Sequence, residues 1–324
     1  MYIALNDEGQ QILAHNARKN EKYFCPVCDT PVILKAGSVK VPHFSHHHIL
    51  NCTRYLYKRE SLLHLKLKHD LFLALNKHSS IAMEYYLSSI EQIPDLLING
   101  DLALEIQLSK ISADLLVSRT EGYYTLGIKV IWLLDQREIK HEGLALHLNH
   151  FQLAAVTDGT LYSIDIKTLE ITAWSIGPPV GLNRFKYIKR VIPLTDLTKV
   201  QTAVSWGEHH RLSKETMKQL IRREKAEKSV QNKTLTYMYQ LGLTVETLPE
   251  FLYFTCYEER FILNSPIEWK LYIYYHLSMG TFSRNNFYKF IRLRTLSDKP
   301  DKNTLIQALL TSYLKVFRKS KDMT

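Results

Sequence analysis

Ile93-Pro94-Asp95-Leu96-Leu97-Ile98-Asn99-Gly100-Asp101-Leu102-Ala103-Leu104-Glu105-Ile106-Gln107 is the stretch that decides the fold. Leu and Ile dominate Ile93–Ile98 and Leu102–Leu108, as two strands require. Asn99-Gly100 between them is a strong hairpin signal, because both residues tolerate positive φ. With Asn99-Gly100-Asp101 as the loop, Ile98 faces Leu102 and Asp95 faces Glu105. Side chains alternate along a strand, so Asp95, Glu105 and Gln107 then share one face, and Leu96, Ile98, Leu104 and Ile106 line the other. A two-residue loop shifts the register and separates the carboxylates. The three-residue loop is therefore a structural expectation.

Two adjacent carboxylates repel and raise each other's pKa, and a hard divalent cation relieves that cost. Mg²⁺ or Mn²⁺ held by Asp95 and Glu105 polarises a phosphate and acidifies a bound water. Upstream, residues 60–76 have helical character, with a broad surface of Leu62, Leu63, Leu65, Leu67, Leu71 and Leu75. Glu60, His64 and Lys68 recur every four residues and form one polar stripe. Facing the carboxylates, that stripe lines the same site, with Lys68 near the phosphate. Glu84 on the 81–87 segment is within reach of it. The plain alternative is that the stripe and the Glu105/Gln107 face are solvated surfaces.

Downstream, Ser112–Thr120 reads as a helix with Ser112 as N-cap, Lys129–Leu134 as a buried strand, and Leu161–Ile166 with Glu170–Trp174 as a further β pair. The resulting αβββαβ order is that of a restriction-endonuclease-like core. Gly177-Pro178-Pro179-Val180-Gly181 reads as a break and a domain boundary. The expected division is 1–56, 57–178 and 179–324, in an α+β or α/β chain whose last domain is mainly helical.

Cysteines are few: Cys25, Cys28, Cys52 and Cys256. Met1–Glu8 lacks the basic and apolar regions of a secretory signal, so Cys25-Pro26-Val27-Cys28 reads as metal chemistry rather than a disulfide. A strand at Pro31–Leu34 and a turn at Gly37 separate this pair from His43, His46, His47, His48 and Cys52. Cys25, Cys28, His46 and Cys52 supply the four ligands of a structural Zn²⁺, with His43 as the rival to His46. Such an ion folds a segment too small to bury its own core. Cys256 reads as a buried core residue.

The 324 residues carry a net charge of +10, with 45% hydrophobic and 11% aromatic residues, enough for packed cores in two or three domains. No apolar run approaches a membrane span. Between Arg184 and Lys233 stand 13 Lys/Arg against 5 Asp/Glu, most of the excess positive charge. Ser213–Lys228 reads as a basic helix, and Lys214, Lys218, Arg222 and Arg223 are candidates for contact with a DNA backbone. Tyr272, Tyr274 and Tyr275 are either helix core or platforms for splayed bases.

The chain resembles the competence protein CoiA family. The resemblance is carried, in order, by Cys25-Pro-Val-Cys28, His43-Phe-Ser-His46, Cys52, Glu60-Ser61, His64, Lys68, Asp95, Asn99–Gln107, Arg119-Thr-Glu-Gly-Tyr123 and Val130–Leu134. It covers residues 1–175 well and the remainder loosely. It implies a zinc-finger-like N-terminus, a PD-(D/E)XK nuclease-like domain, and a cytoplasmic role in natural transformation. There, incoming single-stranded DNA is recombined together with a RecA-type recombinase. The family's acidic positions carry over as Asp95 and Glu105, while Gln107 stands where the (D/E)XK element has lysine. Two functions follow from this pattern: a metal-dependent deoxyribonuclease, or a non-catalytic DNA-binding and recombinase-loading factor on a degenerate nuclease scaffold.

Overall fold

The computed structural model describes residues 1–37, 41–47, 52, 61–199, 204–226 and 232–321. Glu60, His48 and Lys228 lie outside the described residues. The chain divides into two compact units, Met1–Glu138 with Tyr162–Ala173 and Arg190–Gln201, and Ile139–Leu161 with Trp174–Lys189 and Thr202–Thr324.

The first unit opens with a small antiparallel sheet. Its strands are β1 (Ile3–Leu5), β2 (Gln11–Leu13), β3 (Tyr23–Phe24), β4 (Pro31–Lys35) and β5 (His43–His46), in the order β2-β1-β3-β4-β5. Helix α1 (Leu62–Leu75) follows, its first turn closed by Ser61 Oγ accepting from the His64 amide at 3.1 Å. Next come β6 (Ile81–Met83), β7 (Leu96–Ile98), β8 (Leu102–Gln107), α2 (Ala113–Thr125) and β9 (Lys129–Asp135). The chain order αβββαβ is thus the one the sequence predicts. β6, β7 and β8 pair antiparallel, and β9 runs parallel to β8 with the α2 crossover between them. Residues 162–164 add in parallel to the far side of β9.

The hairpin has the expected register: Leu96↔Leu104, Leu97↔Ala103 and Ile98↔Leu102, leaving Asn99, Gly100 and Asp101 as the loop. Asn99 and Gly100 have φ of +51° and +81°, the left-handed region their residue types permit. Leu96, Ile98, Leu104 and Ile106 join Leu65, Leu67, Leu71 and Leu75 of α1 in one core, which also takes Tyr2, Tyr23, Val32 and Phe44 from the small sheet. The N-terminal strands therefore share their core with α1 and the hairpin.

Two expectations are corrected. Helix α2 runs to Thr125 instead of Thr120, so Arg119 and Tyr123 sit inside it, one turn apart on one face. Gly122 does not end the helix; it makes room for the Gln92 side chain, which a Cβ there would strike. The Ser112 cap is as read.

In the second unit, β10 (Lys140–Glu142) and β11 (Ala145–His147) form a hairpin, followed by the short α3 (His150–Ala154). β12 (Thr160–Ile164) precedes β13 (Ile171–Gly181) and β14 (Arg184–Ile192), and β11 pairs antiparallel with β14. The second correction falls here: Gly177–Gly181 is not a break but the second half of β13, buried except at Val180. Gly177 is required because a Cβ would lie 2.7 Å from the Trp206 ring. The remainder is helical: α4 (Lys214–Ala226), α5 (Lys233–Gln240), α6 (Glu268–Ser278), α7 (Arg284–Phe290) and α8 (Lys302–Lys321), with β15 (His210–Arg211) and β16 (Phe254–Thr255) as a two-stranded clip. Cys256 is fully buried there, as read. No helix among the described residues is long and apolar enough to cross a membrane.

Gly100→Val places a β-branched side chain at φ +81° and is expected to cost about 1–2 kcal/mol, read as a lowered denaturation midpoint at unchanged slope.

Candidate functional site

Two clusters of reactive side chains stand in the first unit. The first is built at the end of the small sheet. After β3 the chain turns through Cys25–Cys28, closed by Asp29 N–H donating to Cys25 O and Cys25 N–H to Thr30 O, each at 2.9 Å, with Asp29 at φ +53°. His46 ends β5 opposite Val32 of β4. Cys25, Cys28, His46 and Cys52 bring their ligand atoms within 4.8 Å of one another. Cys25 Sγ and Cys52 Sγ lie 3.9 Å apart, close to the ~3.8 Å that two sulfurs on a tetrahedral Zn²⁺ subtend. Cys28 Sγ is 3.3 Å from His46 Nε2 and 3.0 Å from Thr30 Oγ1. Burial opposes ionisation of Cys28, but hydrogen bonds from Thr30, Cys52 and Cys25 outweigh it and hold the thiol below its usual range. This three-sulfur, one-nitrogen set fits zinc. Between the two histidines the geometry selects His46: His43 Nδ1 is 2.9 Å from Val41 O.

The second cluster lies where α1 meets the hairpin. Lys68 is only 1% exposed, and its Nζ lies 2.8 Å from Asp95 Oδ1 and 2.9 Å from Glu84 Oε1. Asp95 precedes β7; its Oδ2 accepts from the Ile106 amide at 2.8 Å, and His64 Nε2 lies 3.1 Å from both its oxygens. Burial alone would raise the Asp95 pKa, but Lys68 and His64 overwhelm it and hold the carboxyl well below the carboxylate range. Glu84 follows β6 with a left-handed backbone (φ +50°) unusual for a glutamate. Its Oε2 accepts from the Tyr2 amide at 2.9 Å. The sequence left Glu84 loosely placed, and the fold makes it a partner of Lys68.

Glu105 stands one register step beyond β7's last pair, opposite Asp95, on the buried middle of β8. Its Oε1 accepts from Arg119 and from the Tyr123 hydroxyl, both on α2. Burial, with the Asp95 charge adding to it, pushes the Glu105 carboxyl up to about 7 against the pull of Arg119 and Tyr123. Sequence reasoning gave neither of these residues a role; their spacing of four on a helix was the signal available. Gln107, half-buried, donates its amide to Ser109 O. The structure therefore brings His64, Lys68, Asp95 and Glu84 together and gives Glu105 its own partners on α2. Among the described residues, groups of three or more potential metal ligands occur at the Cys₃His cluster alone. A divalent ion on Asp95 and Glu105 would share these carboxylates with Lys68 and Arg119.

In the second unit, α4 buries Met217, Leu220 and Ile221 and presents Lys214, Arg222, Arg223 and, partly, Lys218 to solvent. Arg222 lies 3.8 Å from Glu215. Tyr272 is buried and stacked on Phe290 at 4.2 Å, which closes its face to a base.

The chain is a mixed α+β protein with a Cys₃His cluster that could hold a metal near its N-terminus and a nuclease-like domain after it. Residues 60–177 match the family described as competence protein CoiA, nuclease-like domain, and residues 6–55 match competence protein CoiA, N-terminal domain, together about half of the chain. The chain belongs to the competence protein CoiA family. Competence protein CoiA of Bacillus subtilis (strain 168) is 33% identical over 126 residues, 38% of this chain and 34% of that protein. The match thus spans about a third of the relative's length. No solved structure matches the chain.

Lys68→Met leaves Glu84 and Asp95 buried without their shared cation and is expected to cost about 3–5 kcal/mol in chemical denaturation. Glu105 gives a pH test. Its folded pKa is raised from 4.5 to about 7, so the stability tied to its protonated form is complete below about pH 4.5 and lost as pH rises through 7. In EDTA, Glu105→Gln is expected to remove most of that loss, on the order of 2 kcal/mol between pH 5 and 8, in urea midpoints measured at both.

Proposed function

We propose that this protein acts on incoming DNA during natural transformation and recombination, as a metal-dependent nuclease that hydrolyses DNA phosphodiester bonds. The observation that carries the reading is the buried ammonium of Lys68 held between Asp95 and Glu84. A nuclease-like core with glutamine at 107 lacks its strand lysine, and Lys68 brings a cation to the same carboxylates from α1. In this reading Asp95 and Glu105 hold Mg²⁺ or Mn²⁺, which supplies Lewis acidity toward phosphate and water. Lys68 exchanges Asp95 for the incoming phosphate and stabilises its developing charge. His64, in contact with Asp95, moves a proton; Gln107 orients water or phosphate; Glu60, outside the described residues, is a further candidate carboxylate. The Cys25, Cys28, His46 and Cys52 ligands take a structural Zn²⁺. Lys214, Lys218, Arg222 and Arg223 meet the DNA backbone, so binding weakens steeply with salt. The substrate is single-stranded or branched DNA, the compartment the cytoplasm, and the partner a RecA-type recombinase.

One observation favours a second reading. Both carboxylates already have protein cations, Lys68 for Asp95 and Arg119 for Glu105, and Gln107 is bonded to Ser109. A decayed site that keeps its fold by internal ion pairs would bind DNA and load recombinase without turnover. The two readings separate in one assay: purified full-length protein with labelled single-stranded, double-stranded and branched DNA, in Mg²⁺, Mn²⁺ or EDTA. Metal-dependent cleavage that falls at least 100-fold in Asp95→Ala and Glu105→Ala is expected. Binding without cleavage in every metal sinks the nuclease and leaves the loading factor.

A further inference from the structure

Tyr2 of the N-terminal segment touches Glu84 of the Lys68 cluster at one point and α1 at two. Its amide donates to Glu84 Oε2 at 2.9 Å, its hydroxyl donates to Leu65 O on α1 at 2.7 Å, and its ring stacks on His69 with centroids 5.7 Å apart. Tyr2 is 1% exposed. Glu84, which receives the amide, receives Lys68 on its other oxygen. A strained left-handed backbone at Glu84 persists only where its surroundings over-determine it, and Tyr2 is one of those surroundings.

The same segment is held from the other side by the Cys₃His cluster. Leu5 of β1 pairs with Phe24 of β3, the residue before Cys25. The Phe44 amide donates to Met1 O at 2.8 Å, and Phe44 is two residues before His46. Residues next to both halves of the ligand set, Phe24 before Cys25 and Phe44 within β5, thus pair with the first five residues. β4 pairs with both β3 and β5, so the sheet links the two halves and leaves their ligand ends without a covalent tie. A metal on Cys25, Cys28, His46 and Cys52 would join them.

We propose that the Cys₃His cluster positions the Lys68 site: metal binding there orders β3 and β5, these hold β1, and the Tyr2 amide and hydroxyl fix Glu84 and α1 so that Lys68 stays between Glu84 and Asp95. Tyr2 and Glu84 are positioning residues. The inference rests on reading the Lys68 cluster as the reactive site, but its test needs no DNA.

The experiment is hydrogen–deuterium exchange on the full-length protein with zinc, after removal of zinc by a chelator, and after zinc is returned. The Lys68 ammonium protons are followed by NMR in the same three states. Zinc removal is expected to speed exchange about tenfold or more in residues 62–75 and 81–98 and to erase the Lys68 signal, with α6 and α8 unchanged and both effects reversed by zinc. Acceleration confined to residues 1–52 with the Lys68 signal kept would overturn the proposal, as would equal acceleration throughout the chain. Tyr2→Phe, which deletes the hydroxyl bond alone, gives a second reading should the zinc-free protein be too unstable. It is expected to speed exchange in 62–75 about fivefold at unchanged zinc content, and no change there overturns the route through Tyr2. A protein that cuts no DNA yet shows the coupling fails the nuclease reading and keeps this one. A protein that cuts DNA equally with and without zinc does the reverse.

Discussion

A lysine ammonium out of contact with water is costly unless carboxylates surround it, and Lys68 has two. That constraint ties together three elements distant in sequence. α1 must present Lys68 inward, β6 must end in the unusual backbone of Glu84, and the entry to β7 must deliver Asp95 with its second oxygen on the Ile106 amide. Removing Lys68 takes the shared cation from two buried carboxylates at once. Broken buried pairs of this kind are strongly destabilising, although the intact pair adds little net stability.

Glu105 repeats the arrangement on the neighbouring strand with different partners. Arg119 and Tyr123 reach it from α2, and Thr120 between them accepts from the Trp132 indole at 2.9 Å. The two carboxylates are close enough for Asp95 to raise the Glu105 pKa, yet each keeps its own cation. The site is therefore two coupled ion-pair clusters, set apart in protonation by their surroundings. Environments that push two carboxyl pKa values apart suit division of work between a permanent anion and a group that exchanges a proton near neutrality. The same ion pairs serve a scaffold equally well.

Expectations held where local rules govern. The Asn99-Gly100 loop, the hairpin register, the Ser112 cap, and the grouping of Cys25, Cys28, His46 and Cys52 all follow from short-range spacing and backbone preference. They failed where a distant side chain overrode a local signal. The helix read as ending at Thr120 continues past Gly122, which accommodates Gln92, and Gly177 reads as a break but accommodates Trp206. In both, glycine answers a close approach from a residue about 30 positions away.

The αβββαβ order, the face carrying Asp95 and Glu105, and the candidate Cys₃His grouping are legible in the sequence, because periodicity of two, turn chemistry and ligand spacing are written within a few residues of each other. Only the tertiary structure decided which cation meets which carboxylate. Lys68 to Glu84, Arg119 to Glu105 and the Tyr2 amide to Glu84 span 16, 14 and 82 residues. No local pattern specifies such pairings. They arise because packing α1, α2 and β1 against the hairpin removes water from these groups and leaves each charge the partner that the fold brings within hydrogen-bonding distance.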